Sequence, residues 1–134
     1  MSWSINVVKF DSTFRRVEDA VHSTQRPLGS RRSVMAAVSH VFAGTDWSDP
    51  NFGIWTSVVG EVNFVLGSEE PCPGMVINSQ SMPKVVSLIV ELLRSNDWQG
   101  YDVPLGEFLE QRADPNQIFT EVDARAAEAR KRSF

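Results

Sequence analysis

The sequence has few of the residues from which chemical sites are most often built. Among 134 residues there is one cysteine, Cys72, and two histidines, His22 and His40. A single cysteine excludes an intrachain disulfide, which suits a reducing compartment, and we expect a cytoplasmic protein. Two separated histidines and one cysteine fall short of the three or four ligands of a zinc site, so no metal is predicted.

Long apolar runs are also missing. The stretch Val85–Val90 is interrupted by Ser87 and ends at Glu91, whereas a membrane-spanning helix needs about 20 apolar residues. The start, Met1–Ser4, has no basic segment followed by an apolar run. We therefore expect neither a membrane segment nor a secretory leader.

No nucleotide-binding or nucleophile motif is present. The glycines are isolated and build no phosphate-binding loop, so no cofactor is predicted. The serines lack the G-x-S-x-G setting. Cys72 lies between two prolines beside Glu69 and Glu70, and neighbouring carboxylates raise a thiol pKa, which disfavours a catalytic nucleophile. We predict a protein that is not an enzyme.

The hydrophobic content of 42% is enough for one core. We expect a single α+β domain over residues 1–112 and a C-terminal helix or tail over 113–134. The predicted order is β-α-β-β-β-α-β, an antiparallel sheet with the helices on one face. The predicted strands are Trp3–Phe10, the two strands of the hairpin Ile54–Leu66, Met75–Asn78 and Tyr101–Leu105. The predicted helices are Arg31–Ala43 and Met82–Ser95, and the connecting segments are Asp11–Leu28, the loop Thr45–Gly53 and the loop Gly67–Gly74.

The two helices carry the clearest signals. Ser30 is a suitable N-cap for the first, and Gly44 is suited to close it. The second helix has apolar residues at the spacing of one helical face, and we expect Leu88 and Leu92 to be buried together with Phe64.

The tail begins with a capping box, because Asp114 precedes Pro115 and Gln117 stands three residues after it. This predicts a helix from Pro115 to Lys131. Its apolar stripe is thin, so the helix needs its own domain or a second copy to pack against, and a homodimer through this helix is one possibility. The stripe consists of Ile118, Phe119, Val122, Ala126 and Ala129.

Charge is distributed unevenly along the chain. Residues 1–45 contain six basic and three acidic residues, whereas residues 46–112 contain three basic and ten acidic ones. An acidic surface disfavours nucleic acid and attracts a basic protein. The basic residues of the first third are interpreted as a solvated face that pairs with the acidic half, with a nucleic-acid patch as the alternative. They are Arg15, Arg16, Arg26, Arg31 and Arg32.

Acidic residues next to aromatic ones give the candidate partner-binding site. An aromatic anchor beside carboxylates combines apolar burial with charge matching. The candidates are Asp46, Trp47, Asp49, Phe52, Glu69 and Glu70. Asp46 and Asp49 also have a second interpretation as turn residues, which we prefer to calcium ligands. Later acidic candidates are Asp97, Asp102, Glu107 and Glu110.

Two segments, Asn96–Asp102 and Gly106–Leu109, resemble a block found in small bacterial proteins of unassigned function. The start Ser2–Ile5 and the turn Gly67–Pro71 are similar as well. The resemblance implies a bacterial origin and a small α+β fold, and it brings no catalytic residues. In size and charge the chain also resembles immunity proteins, which neutralise toxins exchanged between bacteria.

From these observations we expect a non-enzymatic protein-binding domain, in its sharpest form an immunity protein whose acidic surface binds a basic toxin domain. One alternative is an enzyme or small-ligand-binding domain with a pocket between sheet and helices. The other is a homo-oligomeric structural or regulatory domain.

Overall fold

The computed structural model describes residues 2–58, 60–80 and 83–112. In this part of the chain eight antiparallel strands and two α-helices confirm the predicted α+β class. The strands are β1 Ser2–Phe10, β2 Gln25–Arg26, β3 Asp46–Asp49, β4 Phe52–Ser57, β5 Gly60–Val65, β6 Met75–Gln80, β7 Gln99–Asp102 and β8 Glu107–Phe108. The helices are α1 Arg31–Val41 and α2 Pro83–Ser95, with short 3₁₀ helices at Val17–Ala20 and Leu109–Gln111.

The first strand lies inside the sheet, whose order is β3-β4-β5-β6-β1-β7-β8, with β2 beside the end of β1. Ile5 pairs with Ile77 of β6, and Val7 pairs with Gly100 of β7. Directly paired residues point to the same side of a sheet. These pairs therefore define an inner face, which is covered by the helices, and an outer face on the opposite side.

Both α-helices pack on the inner face, as the sequence predicted. Phe42, at the end of α1, stacks edge-on against Phe64 with ring centroids 5.0 Å apart. A Cβ at Gly100 would lie 2.8 Å from Leu93 of α2, so only glycine lets the helix approach β7 this closely. Leu92 and Phe64 are fully buried as expected, whereas Leu88 is only half-buried at the margin of the core.

The helix boundaries follow from local chemistry. The Ser33 N–H donates to the Ser30 hydroxyl oxygen at 3.1 Å, which confirms the predicted cap of α1. Gly44 follows the helix with φ of 85°, a conformation that favours glycine.

Several strand predictions were wrong in detail. The segment predicted as loop Thr45–Gly53 contains β3 and the start of β4, which form a hairpin through Asp49 and Phe52. The connecting segment Asp11–Leu28 contains the short strand β2 as well as a 3₁₀ helix. The last predicted strand, Tyr101–Leu105, overlaps only the end of β7, and β8 was not predicted. Each missed strand is short and lies at an edge, where no buried alternation marks it.

Within the described ranges, none of the helices combines the length and apolarity that crossing a membrane requires. The predicted helix Pro115–Lys131, and the homodimer that depends on it, lie outside the described residues.

Candidate functional site

The acidic residues of β3 lie on the outer face. Asp46 is paired with Ile54 of β4, and Asp49 is paired with Phe52, with a register shift between the two pairs. Both carboxylates are exposed, and Phe52 is half-buried. The structure therefore brings three of the predicted partner-binding residues, Asp46, Asp49 and Phe52, to one edge of this face.

Each of the two carboxylates also shapes the local backbone. Asp46 Oδ1 accepts the Ser48 hydroxyl at 2.6 Å and the Ser48 N–H at 2.8 Å. These two bonds, the hydroxyl first, hold the pKa of Asp46 below its usual value. Asp49 Oδ1 accepts the Asn51 N–H at 2.9 Å. The preferred interpretation as turn residues is thus confirmed, and both residues are exposed.

Trp47 belongs to the opposite face, because its neighbours in β3 point outward. Its indole N–H donates to the Ser39 hydroxyl of α1 at 2.9 Å. Its ring covers Gly53, where a Cβ would lie 2.6 Å from the ring carbons. The structure consequently separates Trp47 from Asp46 and Asp49, so Phe52, with Ile54 beside it, is the apolar group next to the acidic pair.

Glu70 caps the first helix. Both of its carboxylate oxygens lie 3.1 Å from the Arg31 backbone N–H, and a negative charge stabilises the N-terminus of a helix. The Arg31 guanidinium in turn donates to the backbone oxygens of Gly67 at 3.0 Å and Glu69 at 3.4 Å. The loop that holds Glu69 and Glu70 is therefore tied to α1.

The two acidic loops lie at the same end of the sheet. The Leu66 N–H, at the end of β5, donates to the backbone oxygen of Asn51 at 2.9 Å. Asn51 belongs to the turn between β3 and β4, and Leu66 opens the loop of Glu69 and Glu70. These candidates are thus neighbours in space. Strand pairing places Asp46 and Asp49 on the outer face, whereas the Glu70 carboxylate is bound to the start of α1.

Two of the later acidic candidates are buried. Asp102 Oδ2 accepts the Trp3 indole N–H at 3.1 Å. Glu110 accepts the Gly100 N–H at 2.8 Å and the Gln99 amide at 3.1 Å. Because both carboxylates are held inside the fold by these bonds, neither is available to a partner.

Cys72 lies in the loop between β5 and β6 and is fully buried. Burial raises the pKa of its thiol, and Glu70 makes only the smallest of the contributions to the shift. The thiol therefore lacks the lowered pKa that a reactive cysteine needs. Its backbone bridges to the start of α1, since the Cys72 N–H donates to the Gly29 oxygen at 2.9 Å.

Three of the basic residues of the first third, Arg16, Arg26 and Arg31, bind neighbours within the fold. Arg26 forms an ion pair with Asp11, and Arg16 lies 3.5 Å from Asp19. Arg31 binds loop carbonyls, as described above. Arg16 and Arg26 are thus paired and exposed, but their partners are carboxylates of the same third of the chain and not of the acidic half that the sequence interpretation named.

Sequence reasoning missed most of the outer face. Directly paired positions form a row across six strands, through Asn6 at its centre and Tyr101 beside it. Its other members are Phe52, Val65, Val76 and Phe108. The sequence signal for this face is weak: in β1 the apolar residues Val8 and Phe10 follow the polar Ser4 and Asn6, as expected of a face that is partly covered.

The 3₁₀ helix Val17–Ala20 covers one part of the outer face and leaves an open pocket of about 240 Å³. Its walls are mainly apolar, with Phe10 and Phe108 on the sheet side and Val17 and Val21 on the other. Val21 is 68% exposed at the rim. Another groove, of about 430 Å³, lies between residues 25–27 and the rings of Pro71 and Pro73.

Among the described residues, no three His, Cys, Asp or Glu side chains converge to hold a metal ion. Comparison with protein-family models, curated proteins and solved structures finds no match to this chain. The resemblance to small bacterial proteins therefore stays a prediction from the sequence.

Proposed function

We propose that this protein is a non-enzymatic protein-binding domain that contacts its partner with the β3–β4–β5 part of the outer face. The observation that carries the proposal is the composition of that surface. Phe52, Ile54 and Val65 are its apolar residues, and its charged residues, Asp46, Asp49 and Glu61, are all acidic and exposed. An apolar centre with a charged rim is the usual anatomy of a protein interface.

The charges favour a basic partner. Ionised carboxylates at the rim attract a positively charged surface and accelerate its association, and they repel nucleic acid. An exposed aspartate is ionised at neutral pH, and the hydrogen bonds that lower the pKa of Asp46 favour this ionised form further. The sharpest form of the proposal is an immunity protein that neutralises a basic bacterial toxin in the cytoplasm by covering its surface.

The test uses variants that remove charge and preserve the turn. In Asp46→Asn/Asp49→Asn the amide oxygens still accept the bonds from Ser48 and Asn51. The matched control is Glu91→Gln, because Glu91 is an exposed carboxylate on α2. A partner is captured from the source cells with wild-type protein, and its association rate is measured with each variant at low and high salt.

We expect the double variant to slow association with the captured partner, most strongly at low salt, and the control to leave it unchanged. Phe52→Ala should accelerate dissociation. Equal association rates for wild type and double variant would contradict the proposed surface. Turnover of a small substrate by the purified chain would overturn the non-enzymatic proposal.

The alternative of a small-ligand-binding domain is favoured by one observation, the open apolar pocket beside the 3₁₀ helix. It lies on the outer face, whereas the sequence had placed such a pocket between sheet and helices. Ligand-detected NMR with a small aromatic such as indole tests this alternative. Saturable binding that Val21→Asp abolishes would support it.

A further inference from the structure

We propose that residues 11–24 form a hinged flap that opens and closes over the pocket of the outer face, and that the Gln99 side chain is the latch that keeps it closed. The flap supplies one wall of the pocket through Val17, Ala20 and Val21, and the sheet supplies the other. The pocket is therefore complete only while the flap is closed. This inference is independent of the proposed function, because the pocket lies on β1, β7 and β8, away from the acidic edge at β3.

The first argument is the neck of the flap. Phe10 pairs with Gln25, so the two ends of the segment leave the sheet side by side, as in an Ω-loop. An ion pair between Asp11 and Arg26 joins the same two ends. The chain after the neck is fixed, since the Gln25 amide donates to the Pro73 oxygen at 2.9 Å. The flap can consequently move about this neck without separating any of the described strand pairs.

The second argument is how little of the flap is buried. Of residues 11–24, all of which the structure describes, only Ala20 is buried. Val21 is a large apolar residue and is nevertheless 68% exposed. Segments with few buried apolar groups open at a lower free energy than the core of a domain. We therefore expect the flap to open as a minor fluctuation of the native state, while the sheet and both α-helices stay folded.

The third argument is the latch. Phe14 belongs to the flap, and the Gln99 side chain binds its backbone N–H at 2.8 Å and its backbone oxygen at 2.6 Å. The same Gln99 amide donates to the Glu110 carboxylate at 3.1 Å, and that carboxylate also accepts the Gly100 N–H. The Phe14 ring packs edge-on against Phe10, with ring centroids 5.7 Å apart. Opening the flap breaks the contacts of Phe14 and leaves Gln99 held in the sheet by Glu110.

Thiol labelling tests whether the flap opens separately, because Ala20 lies on its buried side. The full-length Ala20→Cys variant has two thiols, the introduced one under the flap and the native Cys72, which is fully buried in the core cluster. N-ethylmaleimide reacts with each thiol when it is exposed, and mass spectrometry of the peptides distinguishes them. We expect the introduced thiol to react much faster than Cys72, at a rate that changes little with urea well below the midpoint of unfolding.

Variants on both sides of the latch test its role in the Ala20→Cys background. Gln99→Met removes the amide on the sheet side, and Phe14→Ala removes the ring on the flap side. Each should accelerate labelling of the introduced thiol by about tenfold, because each removes contacts that form only in the closed state. Asp19→Asn is the matched control, since it removes an ion pair with Arg16 that lies within the flap. It should leave the labelling rate unchanged.

Cys72 reports in each variant whether the rest of the domain stays folded. Separate labelling of the introduced thiol that both latch variants accelerate supports the inference. Equal labelling rates for the two thiols, with the same urea dependence, would show that the flap opens only when the domain unfolds. Labelling at the rate of an unfolded thiol would show that the flap does not cover Ala20, and labelling that neither latch variant changes would remove Gln99 as the latch. Each of these three results overturns the inference.

Discussion

Gln99 and Glu110 are polar side chains in the interior that bind backbone groups which the sheet leaves unpaired. Gln99 accepts the Phe14 N–H at 2.8 Å and donates to the Phe14 oxygen at 2.6 Å, as a neighbouring strand would. Glu110 accepts the Gly100 N–H on the side of β7 that the short β8 does not cover. Buried polar groups are tolerated when they are bonded in this way.

The sequence did not reveal these roles. Glu110 stands close to Glu107 in the sequence, and such acidic pairs are usually solvated. Its burial was therefore not predicted, because it depends on the bonds to Gln99 and Gly100 that form only in the folded chain. Asp46 and Asp49 differ, because their bonds to residues two positions later are local. Local turn chemistry could be predicted from the sequence, whereas the partners of distant side chains could not.

The lowered pKa of Asp46 leads to a prediction about pH. Because the folded-state pKa lies below the unfolded one, the carboxylate stabilises the fold above the ordinary aspartate value of about 3.9. This contribution is lost as pH falls through the folded-state pKa. We expect Asp46→Asn to lose less stability than wild type on acidification below that value, as measured by urea unfolding at a series of pH values. Glu61→Gln is the control, and equal slopes for Asp46→Asn and wild type would contradict the prediction.

At the scale of elements, the start of α1 is held by an unusual cap. Its first turn contains Arg31 and Arg32, which are unfavourable beside the positive end of a helix. The carboxylate of Glu70 compensates by accepting the Arg31 N–H, and the Arg31 side chain turns toward the loop carbonyls. Of the two arginines, Arg31 is accounted for by these contacts with a loop 39 residues away.

We therefore expect Glu70→Gln to lower the unfolding free energy by about 0.3–1 kcal/mol at low salt, and by less at high salt. Glu69→Gln, a matched change at the preceding residue, should have almost no effect. Urea melts of both variants measure the difference. If the two variants behave alike, the carboxylate of Glu70 does not cap the helix.

The packing of α2 gives a second prediction at this scale. Leu92 is fully buried on the inner face, and Leu88 lies at the margin of the core. Leu92→Ala should lower the unfolding free energy by about 2–5 kcal/mol, because it removes buried methyl groups and leaves a cavity. Leu88→Ala should be milder. Chemical denaturation distinguishes them, and a larger loss in Leu88→Ala would show that the helix is rotated.

At the scale of the whole molecule, the amphipathic helices and the β4–β5 hairpin could be predicted because their signals are local periodicities. The edge strand β3 could not, since its Asp and Ser residues and the following Pro50 resemble a loop and its outward positions are exposed. The central place of β1 could not either, because its pairing with β6 and β7 joins residues far apart in the sequence. For the same reason the outer face, to which Asn6 and Tyr101 both contribute, is a product of topology.

This topology predicts that the described part of the chain unfolds as one unit. One buried cluster includes both helices and the inner face, and β1 joins early and late segments. The four tryptophans sample this structure widely. Trp47 and Trp55 lie near the β3 edge, Trp3 lies on the central strand, and Trp98 directly precedes β7. Together they report on the inner side of the sheet from the β3 edge to β7, without any change of sequence.

Protein labelled with 5-fluorotryptophan should therefore lose its four native ¹⁹F resonances at one common urea concentration. The midpoint of unfolding measured by far-ultraviolet circular dichroism should fall at the same concentration. Single Trp→Phe variants assign the resonances. The β3–β4 hairpin is the element most able to unfold separately, because it lies at the edge of the sheet. Two indole hydrogen bonds attach it to α1 and the residues after it, from Trp47 to the Ser39 hydroxyl and from Trp55 to the Ala43 carbonyl. Earlier loss of the Trp47 and Trp55 resonances than of Trp3 and Trp98 would divide the domain, since the hairpin would then open on its own. The acidic edge proposed for partner binding would in that case unfold locally. The rate at which the protein associates with its partner would then change with urea concentration well below the midpoint of global unfolding.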